Sequence, residues 1–563
     1  MKSKFLRTCC VSSIVLLWLM ILSSVPTQAQ KSAIEGPGFI LTGRVISAYG
    51  PVEKARVRVA GQDDYVLTDK KGRFFVRLES RLRGRVRVTA GKEGWFNNGK
   101  FSDSSGYVGD IFLNPVFLND QPGYRFISPR TCAQCHVKLS RYWNKSKMAH
   151  TTSNPKVLDM YYGTDAYKRP GVAPGFKLDY PESNGNCTTC HAPSAAASGP
   201  WSVDLGAVLS SPRTEWDGVS CDYCHKVRKV IPDDNSPSRM SAVLERQASR
   251  RGPSILVFGP YDDVVVPPMA ASYSAVFEKG EFCSLCHSHM KDLGRKTGWN
   301  PETVYTPSER QAFGLKDSST LPIQTTYQEW KLWQDQLTEG DPNKGKKCQD
   351  CHMSWRKDML PYDNYVVDGM ARHMWATFRS PKNIHPHHFE GATETQLRTS
   401  LSMELEGEVK GENLVVNVYI TNTNGGHWVP TGEPMRSVML IIDAHDSEDR
   451  PLKMIKGTRL PDWAGQGRPE KGNYAGLPGT VFARVLQDKD GNLHVPFWKA
   501  AGIASDTRIR PKETLNLRFE FALTDPEDEP SVEARLVYRP VVRPIAEKKR
   551  WITEDITIAS SVW

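Results

Sequence analysis

Apolar and polar residues alternate along two separate stretches of the chain, residues 36–119 and residues 399–563. A period of two is typical of strands that bury one face, and glycine and proline turn signals separate the runs. The residues predicted to face inward are Val45, Val57, Val59, Phe74, Val76, Val86 and Val88 in the first stretch, and Leu414, Val416, Val418, Ile420, Val438, Leu440, Ile442, Leu515, Leu517, Phe519 and Phe521 in the second. The pattern predicts a β-sandwich near each end of the chain, and we expect the second to be Ig-like.

Residues 122–395 show few strand patterns and contain long loops rich in proline and glycine. The clearest helix pattern runs from Thr326 to Leu337, where aromatic residues recur at near-helical spacing. We therefore expect short helices joined by irregular segments. The fold class predicted for the whole chain is a multidomain protein with a mainly α or irregular centre between two sandwiches.

The first 29 residues have the pattern of a signal peptide. Lys2, Lys4 and Arg7 precede an apolar run from Val11 to Val25, and Ala29 offers a cleavage position. The alternative is an uncleaved membrane anchor, but the run is shorter than the roughly 20 residues that span a bilayer. We predict export and cleavage after Ala29, and no later stretch suggests a membrane span in the mature chain.

The spacing of the cysteines is the feature that predicts the chemistry of the chain. Cys9 and Cys10 fall in the signal segment, and the ten others all lie in Cys-x-x-Cys-His units. The units are Cys132, Cys135 and His136; Cys187, Cys190 and His191; Cys221, Cys224 and His225; Cys283, Cys286 and His287; and Cys348, Cys351 and His352. Two thiols at this spacing bind the vinyl groups of one porphyrin while the adjoining histidine ligates the iron. We predict five covalent c-type haems with these histidines as proximal ligands.

Other uses of Cys-x-x-Cys pairs explain the sequence less well. Disulfide loops and zinc modules do not require a histidine after every pair, and thioredoxin-like sites normally occur singly. The five units lie within 221 residues, which leaves too little chain for a separate core around each haem. We therefore expect the haems to share one core.

Net charge adds little to this interpretation. The chain carries a formal charge of +10 over 563 residues. Removal of the signal segment leaves about +7, and haem propionates would offset much of that. Nucleic-acid binding is therefore not predicted.

The central region resembles multihaem cytochromes related to the tetrahaem electron acceptor of hydroxylamine oxidation. The matching motifs are Cys132-Ala-Gln-Cys-His136 followed by Trp143-x-x-Ser146, Gly218-Val219-Ser220-Cys221-Asp222-Tyr223-Cys224-His225, Phe282-Cys283, Gln324-Thr325-Thr326-Tyr327-x-Glu329-Trp330 and Cys351-His352-Met353. The resemblance covers residues 125–395 and implies electron transfer with mostly bis-histidine haems. Relatives often have a distal histidine where this chain has Met148, so the sixth ligand of one haem lies between His150, Met148 and none.

Nine histidines remain as distal candidates. His373 and His388 match the late distal positions that the resemblance implies, and His150 is the third candidate. His427 is the fourth, because Gly425, Gly426 and Pro430 would present its imidazole from a rigid turn. An ordinary structural histidine remains the alternative for His427. The weaker candidates are His289, His385 and His387, whereas His445 and His494 are expected to be ordinary surface residues.

The amino-terminal stretch resembles a carboxypeptidase regulatory-like, or transthyretin-like, β-sandwich. The matching residues are Gly43-x-Val45, Pro51-Val52-x-x-Ala55-x-Val57, Thr68-Asp69-x-x-Gly72-x-Phe74 and Ala90-x-Lys92-x-Gly94-Trp95. Such modules are non-catalytic and are sometimes grouped with carbohydrate-binding folds. The alternating residues Arg81, Arg83, Arg85 and Arg87 favour a solvated strand face, with docking to a glycan or an acidic partner as the alternative.

Two classes of function follow. The favoured one is a periplasmic or extracellular electron carrier that exchanges electrons with redox partner proteins. The other is a redox enzyme with one five-coordinate haem that acts on nitrite or hydroxylamine. The chain has no Cys-x-x-Cys-Lys unit of the nitrite reductase type, and five units fall short of the eight haems of hydroxylamine oxidoreductases. A glycan-binding surface protein is the third possibility.

Overall fold

The computed structural model describes residues 39–78, 85–103, 106–199, 201–211, 218–233, 236–247, 255–267, 269–294, 297–354 and 384–563. The predicted signal peptide and the distal candidate His373 lie outside these ranges, as do Arg81 and Arg83. No helix in the described ranges combines the length and the apolar character needed to cross a membrane.

The amino-terminal module consists of two four-stranded sheets. Its strands are β1 (Phe39–Ser47), β2 (Gly50–Pro51), β3 (Arg56–Val59), β4 (Val66–Leu67), β5 (Arg73–Leu78), β6 (Val86–Gly91), β7 (Asn98–Ser102) and β8 (Gly106–Phe112). One sheet has the order β2-β1-β5, with β8 parallel to β1, and the other has the order β4-β3-β6-β7. Both sheets contribute to one buried cluster. The predicted inward residues are buried, except that Val86 is only partly buried.

The basic side of this module contacts the central region of the same chain. Arg58 on β3 pairs with Asp262 at 2.7 Å, and the Asp262 side chain is only 1% exposed. Arg87 on β6 donates to the Val265 carbonyl at 2.7 Å, and the Gly61 backbone N–H donates to Asp263 at 2.9 Å. At least part of the arginine-rich surface is therefore used within the chain.

Replacing Asp262 with Ala is expected to loosen the module, because Arg58 would remain buried without its counter-charge. Loss of one partner from a buried pair costs about 3–5 kcal/mol. Limited trypsin digestion of the full-length protein should then release the module faster. Asp110→Ala is the control, because the Arg44–Asp110 pair is largely exposed. Equal digestion rates for the two variants would contradict the expected role of Asp262.

The central region combines short helices with three small sheets. The helices are α1 (Pro129–Ala133), α2 (Val137–Lys145), α3 (Pro155–Tyr162), α4 (Phe176–Asp179), α5 (Thr188–His191), α6 (Pro193–Ala196), α7 (Leu205–Ser210), α8 (Cys221–Cys224), α9 (Glu281–His287), α10 (Pro307–Ala312), α11 (Thr326–Gln336), α12 (Cys348–His352) and α13 (Glu394–Ser400). The paired strands are β9 (Val227–Asp233) with β10 (Ser236–Leu244), β11 (Ile255–Gly259) with β12 (Met269–Tyr273), and β13 (His289–Asp292) with β14 (Thr320–Gln324). The helix expected at Thr326 is confirmed as α11. A mainly helical or irregular centre was an incomplete prediction, because β11 to β14 have only four or five residues each and the longer β9 and β10 lack a strict alternation of apolar and polar residues.

The carboxy-terminal part again has two four-stranded sheets, of orders β15-β16-β22-β18 and β19-β17-β23-β24. Its elements are β15 (Leu401–Lys410), β16 (Asn413–Asn422), β17 (Ser437–His445), β18 (Lys453–Lys456), β19 (Gly479–Phe482), β20 (Arg484–Gln487), β21 (Gly502–Asp506), β22 (Thr514–Ala522), β23 (Ser531–Arg539), α14 (Arg543–Lys548) and β24 (Ile556–Val562). The predicted inward residues lie in one cluster between the sheets, with Leu515 and Leu517 partly exposed.

The carboxy-terminal part and the central region share a core. One apolar cluster contains Met290 and Ile323 of the central region together with Trp428 and Ile503. At a second contact, the buried Lys549 ammonium donates to three backbone carbonyls of the central region, those of residues 159, 164 and 172. The two parts therefore pack as one body around the Cys-x-x-Cys-His units.

Candidate functional site

Each Cys-x-x-Cys-His unit includes a short helical turn. The fourth and fifth units lie on α9 and α12, and the third begins α8. Residues three apart on a helix share a face, so the two thiols of one unit point to the same side. The adjoining histidine follows on the next position of the turn. The local structure is therefore the one that two-point attachment of a porphyrin requires.

Thiols from different units lie next to one another. Side-chain interactions join Cys132 to Cys221, Cys190 to Cys286, and Cys283 to Cys348. These contacts link the first unit to the third, the second to the fourth, and the fourth to the fifth. Cys224 of the third unit also interacts electrostatically with both cysteines of the fourth. All five units thus form one connected cluster with the fourth unit at its centre.

The surroundings of these thiols differ from those of a zinc site. Burial raises the pKa of Cys187 to about 11 and that of Cys224 to about 12, whereas side-chain interactions with Cys221 and Cys283 lower the pKa of Cys132 and of Cys348. Structural zinc is held by thiolates in sets of four ligands. Among the described residues, no group of three or more His, Cys, Asp or Glu side chains is placed to hold a metal ion. The two thiols of each unit therefore fit attachment of a porphyrin better than coordination of zinc.

Three histidines of the units make hydrogen bonds that bear on whether they could ligate a haem iron. Nδ1 of His225 lies 2.7 Å from the Phe258 carbonyl, Nδ1 of His191 lies 3.2 Å from the Thr151 carbonyl, and Nδ1 of His352 contacts the Glu390 carbonyl. Metal-ligating histidines characteristically donate the other ring N–H in this way. The contacts assign the proton to Nδ1 and leave Nε2 for a metal. Burial also lowers the pKa of His225 and His191, which keeps the imidazoles neutral.

Two of these histidines face a second imidazole. The ring centres of His352 and His427 are 6.1 Å apart with an interplanar angle of 7°, and those of His225 and His387 are 6.3 Å apart at 27°. Two imidazoles on one iron each place a nitrogen about 2 Å from it, which separates the ring centres by roughly 6 Å. Nδ1 of His427 and of His387 each lies 3.0 Å from a backbone carbonyl, so both also leave Nε2 open. The residues present fit a haem at both places.

The other distal candidates are placed differently. His150 is exposed, and its Nε2 is held 2.7 Å from the Asn144 carbonyl, so it does not offer Nε2 to a metal. Met148 is half-buried beside it. Nδ1 of His388 lies 3.2 Å from the Pro386 carbonyl, and its Nε2 lies 3.8 Å from the Glu390 carboxylate. Two weaker candidates are also placed, His289 with its ring against Phe497 and His385 with Nδ1 buried.

His494 does not have the ordinary surface position expected from the sequence. Its ring packs on Trp463 with centres 4.4 Å apart, and both ring nitrogens are buried without a hydrogen-bond partner in the described part of the chain. Burial lowers its pKa to about 4. The strand-like alternation could not reveal this, because His494 occupies a turn with φ of 55°.

A buried acid on α11 is the main site residue that sequence reasoning did not single out. The Glu329 side chain is fully buried and pairs with Arg508 at 2.6 Å. Asp506, also fully buried, binds both Arg508 and Arg484. Burial alone would raise the pKa of Glu329, but Arg508 and Arg484 outweigh it and lower the pKa, so the carboxylate is ionised. The sequence contains Glu329 within the motif Gln324-Thr325-Thr326-Tyr327-x-Glu329-Trp330 that carries the resemblance, but the motif does not indicate what the side chain binds.

Glu329 also contacts the segment that carries His427. It accepts hydrogen bonds from the Trp428 backbone N–H at 3.2 Å and from the Thr431 hydroxyl at 2.8 Å. On the other side of His427, Gly426 lies against the Trp333 ring, which a Cβ at that position would meet at 2.7 Å. Helix α11 therefore contacts this turn on both sides of the histidine.

Comparison with known proteins gives one family match and one similar solved structure. Residues 131–226 match the family model described as cytochrome c554 and c-prime, and this segment contains the first three Cys-x-x-Cys-His units. A solved structure, a penta-heme cytochrome c552 from Thermochromatium tepidum, is similar at 19% identity and a TM-score of 0.49, over 78% of this chain and 99% of that one. No curated protein matches the chain. The family match supports a multihaem c-type cytochrome that transfers electrons.

Proposed function

We propose that this chain is a periplasmic or extracellular electron-transfer protein that carries five covalent c-type haems. The observation that carries the proposal is that all five Cys-x-x-Cys-His units meet in one cluster, joined through Cys132–Cys221, Cys190–Cys286 and Cys283–Cys348. Haem iron supplies reversible one-electron chemistry, and its potential depends on the axial ligands and on burial. The chain keeps the units close and surrounds them with buried side chains.

The attachment and proximal roles are assigned from the five sequence units, and the site geometry supports two of the distal roles. The paired cysteines of each unit bind the porphyrin, and His136, His191, His225, His287 and His352 are the proximal ligands. His427 is the distal partner of His352, and His387 is that of His225. His387 takes this position instead of the neighbouring His388, which remains a candidate for another unit together with His373. His150 becomes a ligand only if its ring turns away from Asn144.

One observation favours the alternative, a redox enzyme with an open haem that acts on nitrite or hydroxylamine. The candidate distal ligand His150, whose neighbour Thr151 contacts His191, directs Nε2 to the Asn144 carbonyl. A five-coordinate iron in the second unit would bind small ligands. The spin state of the oxidised protein separates the two functions, because a carrier with six-coordinate haems throughout shows no high-spin signal.

Export and partner binding complete the proposal. Covalent haem attachment outside the cytoplasm requires export, which the segment 1–29 would direct. Redox partner proteins would dock near the cluster. A glycan or acidic surface could bind the amino-terminal module at the outer face of the β1–β5–β8 sheet, where Phe75 and Tyr107 are exposed.

The haem count has a direct test. After extraction with acidified acetone, the intact mass of the mature protein should exceed that of the polypeptide by five haems, because thioether bonds survive this treatment. Replacing Cys348 and Cys351 with Ser should lower the count by one. An intact mass equal to the bare polypeptide would contradict covalent attachment.

A further inference from the structure

We propose that Glu329 is the positioning residue for His427: it fixes the turn 425–432 so that the imidazole stands opposite His352. The inference rests on the proposed role of His427 as a distal ligand and adds to it the residue that keeps the ligand in place. The hydrogen bonds of Glu329 go to residues that follow His427, and its charge also acts on the imidazole. Glu329 positions the imidazole through the backbone that follows His427.

The contacts place Glu329 between two parts of the chain. One carboxylate oxygen accepts from Arg508 and from the Thr325 hydroxyl, both at 2.6 Å. The other accepts from the Trp428 N–H and the Thr431 hydroxyl. The Glu329 side chain, which belongs to the central region, therefore joins Arg508 of the carboxy-terminal part to the turn 425–432. Each oxygen of the Glu329 carboxylate therefore accepts two hydrogen bonds.

The turn has further supports that make it rigid. The Asn422 amide donates to the His427 carbonyl at 3.0 Å, and its oxygen accepts from the Gly425 N–H at 2.9 Å. Trp333, one helical turn after Glu329, packs on Gly426. Residues at this spacing share a helix face, so α11 presents Glu329 and Trp333 together to the turn. Of Asn422, Trp333 and Glu329, which support the turn, only Glu329 carries a charge.

The charge of Glu329 is what the arrangement needs. Arg484 and Arg508 bring two positive charges into the buried site, and Asp506 supplies one negative charge. Glu329 supplies the other, so the network is neutral. A neutral side chain at this position would leave one guanidinium uncompensated and would weaken the bonds to Trp428 and Thr431. A ligand held by a loosened shell loses the geometry that its metal requires.

The test compares Glu329→Gln with Glu309→Gln in the haem-loaded protein. Glu309 is also buried, also pairs with an arginine of the carboxy-terminal part, Arg510, and caps α10. Its link to the turn is indirect, because Arg510 stacks on the Trp428 ring, whereas the Glu329 carboxylate itself accepts from the turn. For Glu329→Gln we expect loss of part of the low-spin signal of one haem and recovery of that signal with added imidazole. We also expect an upward shift of one reduction potential, because a negative charge is removed. Glu309→Gln should change neither property.

A second variant keeps the buried charges intact. Thr431→Val removes one hydrogen bond to Glu329 and one to Thr326, whereas Thr326→Val removes only the latter. We expect a smaller loss of low-spin signal in Thr431→Val than in Glu329→Gln, and none in Thr326→Val. If Glu329→Gln fails to fold, the low-spin signal of Thr431→Val tests the inference instead. An unchanged signal in Thr431→Val would overturn the inference.

The two proposals can fail separately. If His427→Ala produces an open haem but Glu329→Gln and Thr431→Val keep the parent spectrum, the ligand stands and the positioning role is overturned. If His427→Ala itself changes no haem, the ligand assignment is wrong and the positioning role falls with it.

Discussion

Replacing His427 with Ala is expected to convert one of the five proposed haems from low spin to high spin. The ring of His427 stands 6.1 Å from that of His352, and Ala leaves no donor in its place. The change should appear as a new high-spin signal in the electron paramagnetic resonance spectrum of the oxidised protein. Added imidazole or cyanide should bind to that haem and remove the signal.

A second histidine provides the comparison. His387→Ala should produce the same conversion at a different haem, because His387 faces His225, and the double variant should show two open haems. His445→Ala is the control, since His445 lies at the end of β17, where it pairs with Ser531 of β23. A spectrum of His427→Ala identical to that of the parent would mean that the histidine is only structural.

Replacing Arg484 with Ala is expected to destabilise the protein strongly. Its side chain is 2% exposed, pairs with Asp506, and donates to the carbonyls of Pro322 and Ile323 across the contact with the central region. Removing one partner of a buried ion pair costs about 3–5 kcal/mol. Urea unfolding followed by far-ultraviolet circular dichroism should show a lower midpoint for the variant.

The matched control is Arg518→Ala on β22. Arg518 pairs with Glu520 but is about half exposed, and exposed pairs contribute little to stability. Its midpoint should stay close to that of the parent. If Arg484→Ala unfolds like Arg518→Ala, the buried network does not join the two parts of the chain.

The features that the sequence predicted are those with short-range patterns. The inward faces of the two sandwiches follow from a period of two, and the helix α11 follows from its aromatic spacing. The haem attachment units are visible because both thiols and the histidine lie within five consecutive residues. Strands such as β13, with four residues, are too short to give a reliable pattern.

The choice among distal histidines could not be made from the sequence. His385, His387 and His388 lie within four positions, and only the path of the backbone decides that His387 faces His225. The role of Glu329 depends on contacts with Thr431 and Arg508, which are distant along the chain. His494 was misplaced for the same reason, since the packing of Trp463 on its ring is a tertiary contact.

The burial of the attachment cysteines has a consequence for biogenesis. Cys224 and Cys286 are half-buried, and desolvation raises the pKa of Cys224 to about 12. On the proposed function, an enzyme that joins haem to these thiols must reach them before the core closes. The segment with His427 is synthesised after every attachment unit. On that view, the carboxy-terminal sheets would pack against the attachment units only after the haems are bound.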